Sequence, residues 1–153
     1  MNIKIVLSDV DGVLTDGGMY YTESGDEFKK FCAHDGMGMK LLQKNGIKVG
    51  IITSENRQIN KNRAKKLELD FDFHGADNKL NIIKDLCIKE NVLLSEIAYI
   101  GDDVNCYDLL KNVGVAACPA NAVEEIKNIA GIIKLKRSGG NSCLLYTSPS
   151  PRD

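Results

Sequence analysis

The sequence predicts an α/β fold in which a Rossmann-like parallel sheet is flanked by helices, with one small β-hairpin and no cap domain. Three observations predict it. Short apolar runs alternate with helix-length amphipathic segments, the rhythm of βα units around a mainly parallel sheet. One turn-centred stretch breaks that rhythm near the N-terminus. The length of 153 residues, 43% hydrophobic and 27% charged, suits one core and is too short for two ordinary domains.

In chain order, residues 3–7 form the first strand-sized apolar run. After Gly17-Gly18, runs 19–22 and 27–31 flank Glu23-Ser24-Gly25-Asp26, a turn signal between β-rich stretches that reads as a hairpin. Residues 37–44, 59–67, 80–89, 107–111 and 122–129 have helical patterning. Residues 48–52, 71–73, 97–100, 113–117 and 132–135 are strand-like. Leu80, Ile83, Leu86 and Cys87 recur at helical spacing, giving that helix a single apolar stripe to lay on the sheet. From Ser138 the periodicity stops. Residues 1–140 are therefore expected to be the domain and 141–153 an irregular tail.

Twenty Lys and Arg against 21 Asp and Glu leave a net charge of -1, so no global field draws in nucleic acid or an anionic membrane. No apolar run has membrane-spanning length, and the N-terminus lacks the order of a signal peptide, so the expected location is cytoplasmic. The five cysteines form no C-x-x-C pair and read as reduced thiols used as small hydrophobes, Cys106 excepted.

Chemistry concentrates at strand ends. Asp9-Val10-Asp11-Gly12-Val13-Leu14-Thr15-Asp16 directly follows the first strand, where open α/β sheets bind ligands. Asp and Gly are each common turn formers. Two carboxylates together at a strand end, however, repel unless a cation or proton lies between them. Thr53-Ser54-Glu55 follows the second core strand, with hydroxyls and N–H groups suited either to phosphate oxygens or to a plain helix cap. Lys79 opens a helix after Gly75-Ala76-Asp77-Asn78; alone it would be a solvated lysine, but its ammonium suits a phosphoryl group. Gly101-Asp102-Asp103 ends another strand with oxygen ligands for a hard cation such as Mg²⁺.

This order of Asp-x-Asp-Gly-x-x-Thr-Asp, Thr-Ser, Lys and Gly-Asp-Asp resembles the four motifs of the haloacid dehalogenase-like phosphohydrolases, over residues 3 to about 140. The hairpin, the stretch 46–55 and the ending Lys136-Arg137-Ser138-Gly139-Gly140 resemble the small phosphatases of 3-deoxy-2-keto sugar acid phosphates, both the octulosonate 8-phosphate and nonulosonate 9-phosphate types. The resemblance implies Asp9 as nucleophile forming an aspartyl-phosphate, and Asp11 as general acid and base. It also implies Mg²⁺ on Asp9, the Asp11 carbonyl and Asp102, with Asp103 ordering the metal shell. Thr53, Ser54 and Lys79 would hold the phosphoryl oxygens, and Glu55 and Lys66 are candidates for reading a phosphorylated sugar acid of the nine-carbon type.

Only the hairpin fits between Asp16 and the helix near Asp35, and only a helix and a strand between Thr53 and Lys79. Such an exposed site excludes water poorly, so either the substrate is large or another subunit closes the site. The resemblance implies a homotetramer packed through hairpins, with Tyr20, Tyr21, Phe28 and Phe31 as interface candidates. The chain departs from the family pattern twice: Cys106 replaces an expected third carboxylate, and residues 141–148 look foreign to it. Two other readings compete. A response-regulator receiver would carry its acceptor after a middle strand, not the first. A non-catalytic oligomerisation module, like the phosphatase-like domains of sialic acid activating enzymes, would not need the full set Asp9, Asp11, Thr53, Lys79 and Asp102.

Overall fold

The computed structural model describes residues 2–145. A six-stranded sheet has the order β5-β4-β1-β6-β7-β8, and every neighbouring pair in it is parallel. Its strands are β1 (Ile5–Ser8), β4 (Lys48–Ile52), β5 (Phe71–Phe73), β6 (Ile97–Ile100), β7 (Val115–Cys118) and β8 (Ile133–Lys134). A separate antiparallel pair, β2 (Tyr20–Tyr21) and β3 (Glu27–Phe28), forms the predicted hairpin. The helices are α1 (Ala33–Lys44), α2 (Gln58–Lys66), α3 (Lys79–Glu90), α4 (Tyr107–Asn112) and α5 (Glu124–Lys127).

Side-chain alternation along the strands builds two apolar layers. On one face Ile5, Leu7, Ile52, Ile97 and Tyr99 meet Ile83 and Leu86 of α3, Leu109 and Leu110 of α4 and Ile126 of α5. On the other, Val49, Ile51, Ile100 and Ala117 meet Met39 and Leu42 of α1 and Ala64 of α2. Each fully buried aliphatic of this kind contributes roughly 1.5–3 kcal/mol. The α3 stripe faces the core as predicted. This helix starts where the Asn78 side chain accepts from Asn81 N at 3.0 Å and ends at Asn91, whose φ of 53° closes a left-handed cap.

Several boundaries differ from the sequence reading. Helix α1 begins at Ala33 rather than at 37, because Gly36 and Gly38 blank out the apolar pattern of its first turns. Gly36 is packing-driven: a Cβ there would come within 2.8 Å of Leu67 Cδ2. The last helix and strand shrink to Glu124–Lys127 and Ile133–Lys134, since main-chain bonds from Ala122 N to Pro119 O and Ile132 N to Ile129 O turn their flanks. Of the predicted irregular tail, the part from residue 146 lies outside the described residues. No described helix is long and apolar enough to cross a membrane.

From β1 the chain builds β4 and β5 on one side, then crosses to β6, β7 and β8 on the other. The carboxyl ends of β1 and β6 therefore flank the topological switch point, where open α/β sheets leave a crevice.

Candidate active site

Asp9 is the first residue beyond β1, and its N–H donates to Ile100 O at 2.9 Å, tying it to the end of β6. The chain then coils tightly: the N–H groups of Val13, Leu14 and Thr15 all donate to Val10 O. Thr15 Oγ1 accepts from Gly12 N at 3.3 Å and Gly17 N at 3.2 Å, closing the turn. Gly12 sits at φ +83°, and a Cβ on it would lie 1.8 Å from Asp102 Oδ2, so conformation and space both demand glycine. Behind this loop the Gly139-Gly140 segment packs just as closely. Asn121 clamps it, donating to Gly12 O at 3.1 Å and accepting from Gly139 N at 2.7 Å.

The four motifs predicted from sequence converge here. Lys79, buried at the start of α3, places Nζ 3.2 Å from Asp9 Oδ1. Asp102 follows β6, and Asp9, Asp102 and Cys106 present donor atoms all within 4.8 Å of one another. Thr53 is buried beyond β4, its Oγ1 accepting from Glu55 N at 3.2 Å. Ser54 Oγ accepts from Asn105 Nδ2 at 3.1 Å. A polar pocket of about 190 Å³ is lined by Asp9, Asp11, Thr53, Ser54, Glu55 and Asp102, together with Asp103, Asn105, Gly12 and Gly17. Lys66 is exposed on the last turn of α2 and is not among these lining residues. A somewhat larger cavity, about 220 Å³, lies on the sheet face against Val6, Leu42 and Ile100. It carries no carboxylate or ammonium, so the chemistry belongs to the polar pocket.

Cys106 occupies the centre of a donor chain. Its thiol, wholly buried, donates to Asp9 Oδ2 at 3.1 Å and accepts from Tyr99 Oη at 3.1 Å, which in turn accepts from Lys79 Nζ at 3.3 Å. Burial, and then the charge of Asp9, push the Cys106 thiol up to about 12, so it remains a protonated donor. Burial, the largest single influence, would lower the Lys79 ammonium, but the charges and hydrogen bonds of Asp9 and Cys106 together outweigh it and hold the group above its ordinary value. Asp102 is raised to about 7 by burial first and by the charges of Asp9 and Asp103 next. Asp11 is also raised, mainly by burial.

The carboxylate pair fits a hard divalent cation. Asp102 Oδ1 is buried without a hydrogen-bond partner, facing a second carboxylate whose charge it would repel at neutral pH. Oxygen donors from Asp9 and Asp102, with the Asp11 carbonyl nearby in the chain, make a donor set of the type such ions take.

The sequence reading missed Lys29. It lies just past β3, with its side chain 1% exposed, and its Nζ is 2.6 Å from Glu55 Oε2 and 2.9 Å from Asp11 Oδ1. Two residues back, Glu27 pairs with Arg57, two residues beyond Glu55. The signal was present as alternating charges of opposite sign, Glu27 and Lys29 against Glu55 and Arg57, on segments distant in sequence. Asn105 and Asn121 were missed as well; neither carries a motif of its own.

A parallel sheet with carboxylates at its switch point, a buried lysine against the first of them and no inserted cap among the described residues defines a haloacid dehalogenase-like fold. The family description "haloacid dehalogenase-like hydrolase" matches residues 73–139. The chain is 35% identical over 127 residues to the 3-deoxy-D-manno-octulosonate 8-phosphate phosphatase of Haemophilus influenzae, covering 83% of this chain and 71% of that one. It is 34% identical over 121 residues to the Escherichia coli K12 enzyme of the same name, covering 79% of this chain and 64% of the relative's length. The Moraxella catarrhalis octulosonate phosphatase, crystallised with magnesium, phosphate and the sugar acid, superposes with TM-score 0.90 at 32% identity, covering 95% of this chain and 83% of that one. The cobalt-bound Haemophilus influenzae structure gives 0.87 at 33%, covering 94% and 83%. The chain belongs to the haloacid dehalogenase-like family, and these relatives carry the name 3-deoxy-D-manno-octulosonate 8-phosphate phosphatase.

Proposed function

We propose that the protein is a Mg²⁺-dependent phosphatase that hydrolyses a phosphorylated 2-keto-3-deoxy sugar acid, of eight or nine carbons, through an aspartyl-phosphate. The observation that carries this reading is Asp9 at the end of β1. Lys79 lies 3.2 Å from one of its oxygens, and Asp102 and Asp11 share its pocket. Family membership and the magnesium, phosphate and sugar acid found in the Moraxella catarrhalis relative support it.

In this reading an Asp9 carboxylate oxygen attacks phosphorus, and the bond from phosphorus to the sugar oxygen breaks. Asp11, whose proton affinity is raised by burial, protonates the leaving alkoxide. It then removes a proton from the water that attacks the aspartyl-phosphate, freeing Asp9 and inorganic phosphate. Lys79 and the Thr53 and Ser54 hydroxyls offset charge on the transferring oxygens. Asp9, Asp102 and the Asp11 carbonyl would hold Mg²⁺, which supplies the positive charge that lets a carboxylate approach a phosphate dianion. Asp103, exposed in the pocket rim and capping Val104 N at 2.7 Å, orders the loop that carries Asp102.

The hairpin supports an assembly of like chains, a homotetramer. Tyr20 and Phe28 stack with ring centroids 5.3 Å apart on one side of the hairpin and Tyr21 lies on the other; Tyr21 and Phe28 are 57% and 52% exposed, leaving aromatic surface in water. Phe31 is different: it packs against the protein's own core under Arg63. The decisive assay is release of phosphate from p-nitrophenyl phosphate and from 3-deoxy-D-manno-octulosonate 8-phosphate, with Mg²⁺ and after its removal. Metal-dependent turnover supports the phosphatase. Its absence for both esters points instead to the non-catalytic oligomerisation module.

A further inference from the structure

Among the described residues the Lys29 ammonium is the one cation that joins the hairpin to the pocket, and its environment is unlike that of a surface lysine. Its Nζ lies 2.6 Å from Glu55 Oε2 and 2.9 and 3.1 Å from the two Asp11 oxygens. Burial works against its charge, and the bonds to Glu55 and Asp11 more than compensate. An anchor for the hairpin is a sufficient explanation only if nothing else anchors it. The Glu27–Arg57 pair already ties β3 to the loop after β4, and the Tyr20–Phe28 stack ties β3 to β2. A lysine withdrawn from water is also a weak source of stability, because desolvation consumes much of what the pairing returns.

What Lys29 does uniquely is hold Asp11. This carboxylate hangs from a loop residue, is 30% exposed, and has no other cation against it among the described residues. Glu55, bonded to the same ammonium at 2.6 Å, ties down the end of Lys29 that reaches it. We infer that Lys29 is a positioning residue for proton transfer: pinned by Glu55, it holds the Asp11 carboxyl group toward the leaving-group oxygen of the substrate. Lys29 keeps its own proton throughout. The proton delivered to the alkoxide as the bond to phosphorus breaks comes from Asp11, and Asp11 regains one from the attacking water. The inference rests on the phosphatase reading and on Asp11 as its acid and base.

The leaving group separates positioning from mere scaffolding. p-Nitrophenolate departs without needing a proton, whereas a sugar alkoxide needs one, and general acid–base assistance is worth roughly 10²–10⁴-fold. Steady-state kinetics of wild type, Lys29→Met and Lys29→Arg are compared on p-nitrophenyl phosphate and on 3-deoxy-D-manno-octulosonate 8-phosphate. Lys29→Met is expected to lower kcat for the sugar phosphate at least about tenfold more than for the aryl phosphate, within that range. Lys29→Arg is expected to restore most of the difference. Equal losses on the two esters, or none, overturn the inference while leaving an active phosphatase. A wild type inactive on both overturns the function and this inference together. If circular dichroism shows Lys29→Met unfolded, Lys29→Gln is read the same way. Arg57→Ala, which loosens the hairpin outside the pocket, should leave the ratio between the two esters unchanged.

Discussion

The Cys106 thiol donates a hydrogen bond to Asp9 Oδ2 across 3.1 Å, so the cysteine that replaces an expected family carboxylate contacts the proposed nucleophile directly. A neutral donor there withdraws electron density from Asp9 and adds no charge for a cation. Cys106→Asp is expected to tighten Mg²⁺ about tenfold. Unit charges some 4 Å apart interact by about 4 kcal/mol near a protein surface, part of which Lys79 and burial would cancel. Isothermal titration with Mg²⁺ checks this, and an unchanged or weaker affinity in a folded variant rules it out.

Asp9→Asn keeps the shape of the side chain and its contacts with Val10 N and Lys79, but removes the nucleophile. Turnover should fall to background while the thermal midpoint changes little. Residual activity above a few per cent removes Asp9 from that role. Asp11→Asn should fall by about 10²–10⁴-fold on the sugar phosphate and by less on p-nitrophenyl phosphate, for the leaving-group reason given for Lys29.

Metal removal should make the fold sensitive to pH. Asp102 has its proton affinity raised from 3.8 to about 7, so the folded state binds this proton more tightly than the unfolded one. Stability from this group is complete below pH 3.8 and is lost as pH rises through about 7. The metal-free protein should therefore lose thermal stability across this window relative to Asp102→Asn, which carries no such proton. Saturating Mg²⁺ should restore the wild type at neutral pH and do little for the variant. Parallel pH profiles of the two metal-free proteins would show that Asp102 is not under this strain.

How much of this was legible in the sequence follows the range of each interaction. Asp9, Thr53, Lys79 and Asp102 stand next to strand ends or helix starts that their own neighbours specify, so local pattern located them. The parallel order was legible from the alternation of short apolar runs with amphipathic segments. The start of α1 was not, because Gly36 and Gly38 make way for Leu67 and for residues 144–145, contacts that no local window contains. Lys29 was hidden for the same reason: its partners lie 18 and 26 positions away, and only the folded-back hairpin brings them together. Cys106 was visible as a departure from pattern, yet its bonds to Asp9 and Tyr99 needed the geometry.

Substrate length is the remaining question, and Glu55 is the residue placed to answer it. A carboxylate beside a phosphate is unfavourable by itself, but Lys29 at 2.6 Å offsets that charge, so Glu55 can line the pocket and still accept sugar hydroxyls. By resemblance, Thr53-Ser54-Glu55 looks like the second motif of the nine-carbon type, where the octulosonate type is expected to carry an arginine in place of Glu55. The chain should therefore show a higher kcat/KM for a nonulosonate 9-phosphate than for the octulosonate 8-phosphate, and Glu55→Arg should erase that preference, a change of about tenfold or more. The variant also removes the anchor of Lys29, a loss expected to slow both sugar phosphates alike. The ratio between the two sugar phosphates is therefore the quantity to measure. Equal efficiencies in the native chain, or a ratio unchanged in Glu55→Arg, would show that another residue reads the sugar. Lys66, the other candidate, stands exposed at the end of α2 and is not among the residues lining the pocket of its own chain.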